Sequence, residues 1–225
     1  MTKQVFLATA AAVALCAASA AYAGPYVALS VGGGSATVEN PSGSMPQKLD
    51  MSGIAGGGEV GYLSDDVGYG IKLGAFASFG TAGGISGESK ILSCPAVYCG
   101  TDIYQIDNAS GGFLGTARGL VGMSFFGNRL FVAADGGAAY LQATDVQKYT
   151  DSSGWSYRTD KNGIGYAVGG RVLYALGQHW AVGFDYTHIS VDLGGNGADG
   201  PGYHYYGNWR VTSDQYSGLL AYSFN

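Results

Sequence analysis

The rhythm of the connections constrains this chain more than any other feature. Eight segments alternate in residue character with period two, at 25–34, 51–62, 69–80, 109–125, 129–142, 163–175, 180–191 and 209–224. Such alternation marks a strand with two unlike faces. Leu63 to Gly68, Phe126-Gly127-Asn128 and the stretch from Leu176 to His179 are short connections. The stretches 35–50, 81–108, 143–162 and 192–208 are long and polar. Short and long alternate strictly, so successive strands run up and down with the tight turns gathered at one end, the layout of a membrane-spanning barrel. Helical periodicity is nearly absent after residue 23.

The two faces differ in an unusual way. Tyr69, Ile71, Leu73, Ala75, Ala77 and Phe79 oppose Gly70, Lys72, Gly74, Phe76 and Ser78; Leu130, Val132, Ala134 and Tyr140 oppose Ala133, Asp135, Gly137 and Ala139. Tyr166, Val168 and Val172 oppose Ala167, Gly169 and Arg171, and Trp180, Val182, Phe184 and Tyr186 oppose Ala181, Gly183 and Asp185. The last segment sets Tyr216, Leu220, Tyr222 and Phe224 against Ser217, Ala221 and Ser223. A soluble sandwich turns its bulky face inward and meets water with polar residues. Here only 12% of residues are charged, and Gly is the commonest small residue at 40 copies, so the second face is too poor in charge for that. Small residues suit the narrow inside of a small barrel, with the bulky face on lipid. The mean hydropathy of +0.10 is too low for a bundle of membrane helices. A net charge of −5 argues against nucleic acid as a partner.

At the N-terminus Lys3 precedes an apolar run from Val5 to Ala21, and Ala21-Tyr22-Ala23 fits a small-x-small cleavage site. The expectation is a signal peptide over 1–23, cleaved after Ala23, and a barrel domain over 24–225. Cys16 follows Leu15, a poor neighbour for a lipid-modified cysteine. Aromatic residues are expected in two belts where the ring stays in lipid and the polar atom reaches water. Tyr26, Tyr62, Tyr69, Phe125, Tyr174, Trp180, Tyr222 and Phe224 belong to the periplasmic belt, and Phe79, Phe113, Tyr140, Tyr166, Tyr186 and Tyr216 to the outer one.

Six strand-centre charges share the small-residue parity: Glu59, Lys72, Arg118, Asp135, Arg171 and Asp185. On the lipid side each would cost about 2–4 kcal/mol at mid-depth. Three are acidic and three basic, and reflection through each short turn pairs Glu59 with Lys72, Arg118 with Asp135 and Arg171 with Asp185. Buried charges are tolerated when paired, so a neutral network filling the lumen is expected. The alternative is a charged constriction in a pore, though eight strands leave little width for water.

Several stretches resemble the small outer-membrane barrels of alphaproteobacteria, the immunogenic and opacity-like porin family. They are Gly53-Ile54-Ala55-Gly56-Gly57-Gly58-Glu59-Val60-Gly61-Tyr62, Phe113-Leu114-Gly115-Thr116-Ala117-Arg118-Gly119, Gly163 to Gly170, His179 to Gly194 and the closing Gly218-Leu219-Leu220-Ala221-Tyr222-Ser223-Phe224. The resemblance implies an all-β, eight-stranded antiparallel up-and-down barrel with four long extracellular loops. It also implies insertion by the outer-membrane assembly machinery with periplasmic chaperones. Asn225 after the usually terminal Phe, and Gly218 one place off the usual spacing, depart from the pattern.

Cys94 and Cys99 lie in the second long connection, in an oxidising compartment, and a disulfide is expected between them. No nearby His favours a metal, and neither metal nor cofactor is expected. Trp155 and Tyr157 in the third long connection, and Tyr203, His204, Tyr205, Tyr206 and Trp209 in the fourth, are residue types of adaptable binding loops. They are candidates for contact with a host or extracellular ligand, or they extend the outer belt. His188-Ile189-Ser190 is the one His–Ser neighbour pair. Barrels that trim lipid A use His, Ser and an acid in that region, but the sequence offers no acid of fitting position, so a belt histidine and no enzyme are expected. The functional expectation is a monomeric outer-membrane barrel with a plugged, charge-paired interior, in contact with membrane lipid and lipopolysaccharide, serving envelope integrity and surface interaction. A small-solute porin and a lipid-modifying enzyme are the rivals.

Overall fold

The computed structural model describes residues 23–39, 48–81, 85–94, 103–149, 156–194 and 209–224. The signal segment, Cys99, Trp155 and Tyr203 to Tyr206 lie outside the described residues, and with them the expected disulfide and most of the candidate loop aromatics. Cys94 ends a strand opposite Ile103, its side chain lying outside what is described.

The strands are β1 (Gly24–Glu39), β2 (Lys48–Leu63), β3 (Ile71–Thr81), β4 (Ser86–Cys94), β5 (Ile103–Phe125), β6 (Leu130–Tyr149), β7 (Ser156–Ala175), β8 (Trp180–Gly194) and β9 (Trp209–Ser223). All ladders are antiparallel, and β1 pairs with both β9 and β2, so the sheet closes on itself. β3 and β4 lie in succession along β5, opposite 123–113 and 110–103. They are two pieces of one wall position, which gives eight positions around an up-and-down ring. The register of β5 slips between Gly111 and Leu114, where two residues face Gln142 alone.

Most strands run further outward than the apolar alternation suggests. β1 and β2 stay paired to Glu39 and Lys48, and β6 and β7 to Lys148 and Ser156. The backbone ladder needs no apolar side chain, so it continues past the lipid band with Thr, Asp and Lys on it. The first short turn is also longer than expected. β3 begins at Ile71, and the Asp66 carboxylate holds the turn by accepting from the amides of Gly68 and Gly70. Tyr69 sits in that turn with φ 58° and 97% exposure, so it does not face Tyr62 across the hairpin.

Burial follows strand parity. Leu29 and Ile54 are each 69% exposed, whereas Arg171 is 2% exposed. The bulky apolar residues therefore face outward and the charges face the lumen. The lumen is not lined by small residues alone. Near the short turns Leu63, Phe76, Leu120, Phe131, Leu173 and Leu219 form one apolar layer. Toward the long connections Val38, Met51, Leu141, Ile189, Val191 and Leu193 form another. Tyr26, expected in the periplasmic belt, points inward in the first layer at 4% exposure. Its ring crowds Gly61 on β2, where a side chain would not fit.

Candidate functional site

Between the two apolar layers lies a slab of buried charge. Glu59 on β2, Arg118 on β5, Asp135 on β6, Arg171 on β7 and Asp185 on β8 are all buried. Arg171 reaches across the lumen to Glu59, with Nη1–Oε1 at 2.7 Å and Nη2–Oε2 at 3.2 Å. This fork-to-fork geometry is the strong form of the pair. Arg171 also stands directly opposite Asp185 in the β7–β8 ladder, with Nη2–Oδ1 at 3.2 Å, and its Nη1 donates to the Tyr26 hydroxyl at 3.3 Å.

Arg118 donates from Nη1 to Asp135 Oδ1 at 2.7 Å and to Thr187 Oγ1 at 2.8 Å, and Thr187 donates on to Asp185 Oδ2 at 2.8 Å. Arg118 lies opposite Gly137, and Asp135 opposite Leu120, so this pair is diagonal rather than directly across the ladder. Phe76 lies beneath both guanidinium groups, its ring centroid 4.5 Å from Arg118 Cζ and 3.9 Å from Arg171 Cζ.

The expected Glu59–Lys72 pair is not what forms. The longer turn shifts the register so that Ser78 stands opposite Glu59, and both Glu59 oxygens are taken by Arg171. Lys72 lies lower, opposite Gly122 and within Coulombic reach of Asp65 and Asp66 in the turn. The central slab thus holds three carboxylates and two guanidiniums. Arg118 Nε, Asp135 Oδ2, Arg171 Nε and Asp185 Oδ1 have no hydrogen-bond partner in the protein. A cavity of about 60 Å³ adjoins the slab, lined by Glu59, Arg118 and Asp185 and by the polar side chains of Ser78, Thr116 and Gln215. That volume accommodates about four waters, the ordinary partners of buried polar atoms. Among the described residues no group of His, Cys, Asp and Glu is arranged to hold a metal ion.

Trp209, one of the loop binding candidates, is the first residue of β9, where the expected segment 209–224 begins, and packs on the outer apolar layer. Lys161 Nζ lies 3.2 Å from the centroid of its ring. Thr187 is inward on the parity of the 180–191 segment, two residues beyond Asp185, whereas Lys161 lies in a polar stretch that the apolar pattern does not mark as strand. Tyr157 sits on β7 opposite Gln147.

On the outward face His188 has an acid after all. Asp214 on β9 stands directly opposite it, with Asp214 Oδ1 2.9 Å from His188 Nδ1. The same oxygen accepts from the Tyr186 hydroxyl at 2.7 Å. The two residues are 26 positions apart in sequence, so only the β8–β9 register brings them together. Two same-face positions further out, Arg210 Nε donates to Asp192 at 2.9 Å; that bond holds the guanidinium in its charged form more firmly than usual.

Similarity to solved structures is at the level of the fold. The attachment invasion locus protein Ail of Yersinia pestis is 10% identical, over 88% of this chain and 99% of its own, with a TM-score of 0.39. Neisserial surface protein A is 14% identical over 89% and 97%, with a TM-score of 0.39. The outer membrane protease OmpT from Escherichia coli is 12% identical over 89% and 97%, with a TM-score of 0.38. No curated protein sequence is a significant match to the chain. The sequence profile of the outer membrane protein beta-barrel domain matches residues 6–224, almost the whole length. With its closed ring of antiparallel strands, apolar exterior and charged interior, the chain belongs to the outer membrane protein beta-barrel domain family.

Proposed function

We propose that this protein is a closed outer-membrane barrel of the opacity-like kind, one that contributes to envelope integrity and presents its outer hairpins to the surroundings. The observation that carries this reading is the Arg171–Glu59 pair, which ties opposite walls together across the middle of the lumen. Apolar layers above and below the charged slab support the closed reading, since a hydrated solute would have to cross them. The slab's ion pairs hold the walls, its two guanidiniums shared among three carboxylates. The aromatic closing strand, ending on Tyr222 and Phe224, is the signal that the assembly machinery reads, after periplasmic chaperones deliver the chain. The exported protein, freed of residues 1–23, works as a monomer in contact with lipid and lipopolysaccharide, and its outer loops meet a host or extracellular ligand.

Purified protein in planar bilayers tests this directly. The expected result is no steady conductance, while a stable and sizeable conductance would establish a porin instead. In cells, the unboiled protein should run faster than the boiled form on a denaturing gel and fractionate with the outer membrane.

A further inference from the structure

His188, Ser190 and Asp214 form a candidate acyl-transfer site on the outside of the barrel, separate from the lumen and from the envelope role proposed above. Ile189 and Val191 are 2% and 0% exposed, so they point inward and their neighbours His188 and Ser190 point outward on one face of β8. Asp214 faces them from β9. Its Oδ1 fixes the imidazole through Nδ1 at 2.9 Å, and Tyr186 fixes the carboxylate in turn at 2.7 Å. An imidazole whose Nδ1–H is held by a carboxylate presents the lone pair of Nε2, which is what a general base requires.

Ser190 lies two residues further along the strand, about 7 Å away at the backbone. Its hydroxyl shares the outward face of β8 with that base, and a nucleophile–base hydrogen bond commonly forms only when substrate is present. Thr212 stands directly opposite Ser190 on the same face of the β8–β9 ladder.

The depth of the site identifies the substrate. Tyr186 and Tyr216 stand opposite one another one step toward the short turns, Tyr216 at 51% exposure, while Tyr166, 52% exposed, stands opposite Ser190 with its ring 6.3 Å from that of His188. The Asp192–Arg210 ion pair lies just outward. A tyrosine belt below and an exposed ion pair above bracket the boundary between acyl chains and headgroups, where lipid ester carbonyls lie.

We propose that His188, Ser190 and Asp214 hydrolyse an acyl ester of an outer-leaflet lipid. Ser190 Oγ attacks the ester carbonyl as its proton passes to His188 Nε2. The tetrahedral oxyanion lies toward the Thr212 hydroxyl. The C–O bond to the lipid alcohol then breaks, and the alkoxide takes the proton from His188. Water, deprotonated by the same nitrogen, releases the fatty acid and restores Ser190.

The full-length protein, folded in mixed micelles, is incubated in separate arms with a glycerophospholipid and with lipopolysaccharide, and released fatty acid is measured by mass spectrometry. A fluorophosphonate probe maps the reactive serine. Fatty acid released in either arm, with the probe on Ser190, supports the proposal, and the arm that responds names the lipid. Ser190→Ala and His188→Ala should each lower release at least a hundredfold. Asp214→Asn should lower kcat more than KM while the heat-dependent gel shift stays unchanged. Folded wild-type protein that releases no acid in both arms, release that survives Ser190→Ala, or labelling of another serine would overturn it. None of these outcomes bears on the conductance test, so the two readings fail independently.

Discussion

Arg171 and Glu59 lie 112 positions apart in sequence, yet their side chains meet in a two-point contact at 2.7 and 3.2 Å. Arg171→Leu leaves Glu59 buried without its main counter-charge and should lower stability by about 3–5 kcal/mol. Arg171→Leu combined with Glu59→Leu should cost less than Arg171→Leu alone. Urea unfolding from lipid vesicles measures both. A double-mutant cycle between Glu59 and Lys72 should show much weaker coupling, since the register sets Ser78 opposite Glu59.

The orientation of the pleat has its own test. Val132 faces lipid at 41% exposure, and Val132→Lys should cost about 2–4 kcal/mol near mid-depth. Leu173 points into the inner apolar layer at 4% exposure, and Leu173→Ala should cost about 2–5 kcal/mol through the cavity it leaves. A barrel with the opposite pleat would give a small effect at Leu173 and a fully buried charge at Val132. The same unfolding experiment reads both.

How far the fold could be read from sequence depended on how much free energy each position concentrates. The lipid-facing and lumen-facing parities were plain at Ile71, Val132 and Phe184, because a misplaced charge or bulky group there is expensive in a membrane. Arg171–Asp185 follows from counting through a tight turn. Glu59–Lys72 does not, because Asp66 stabilises a longer turn and moves the register. The pairing of Arg171 with Glu59 depends on which walls the closed ring sets opposite one another, and that of His188 with Asp214 on a β8–β9 register that a long connection leaves open; strand periodicity encodes neither. Tyr26 was misplaced because an aromatic at a strand end suits either a belt or a lumen layer.

Gly169 is a close-approach position. A methyl group there would collide with the Tyr186 carbonyl and lie 3.2 Å from Asp135 Oδ1 and 3.3 Å from Arg118 Nη1. Gly169→Ala should therefore destabilise by about 1–3 kcal/mol. It should also weaken the coupling between Arg118 and Asp135 in a double-mutant cycle, which distinguishes it from a simple strain effect.

On the exposed outer hairpin of β6 and β7, the Thr144 hydroxyl donates to Asp160 at 2.7 Å and, with Arg158 nearby, holds that carboxyl below its ordinary value of 3.8. Because the folded value is the lower one, the contribution is complete above the ordinary value and disappears as pH falls through the folded one. Carboxyl carbon NMR in micelles should show Asp160 titrating below the ordinary value of 3.8 in the wild-type protein. Thr144→Ala should bring its midpoint up toward that value.

The continuation of β5, β6 and β7 beyond the outer tyrosines has a consequence for reach. About ten paired residues at roughly 3.3 Å each, tilted as barrel strands are, carry the outer ends of these strands about 25 Å above the lipid boundary. A ribbon hydrogen-bonded along its length is a stiff mast. Whatever meets the strand ends is met at a fixed height, clear of the membrane surface.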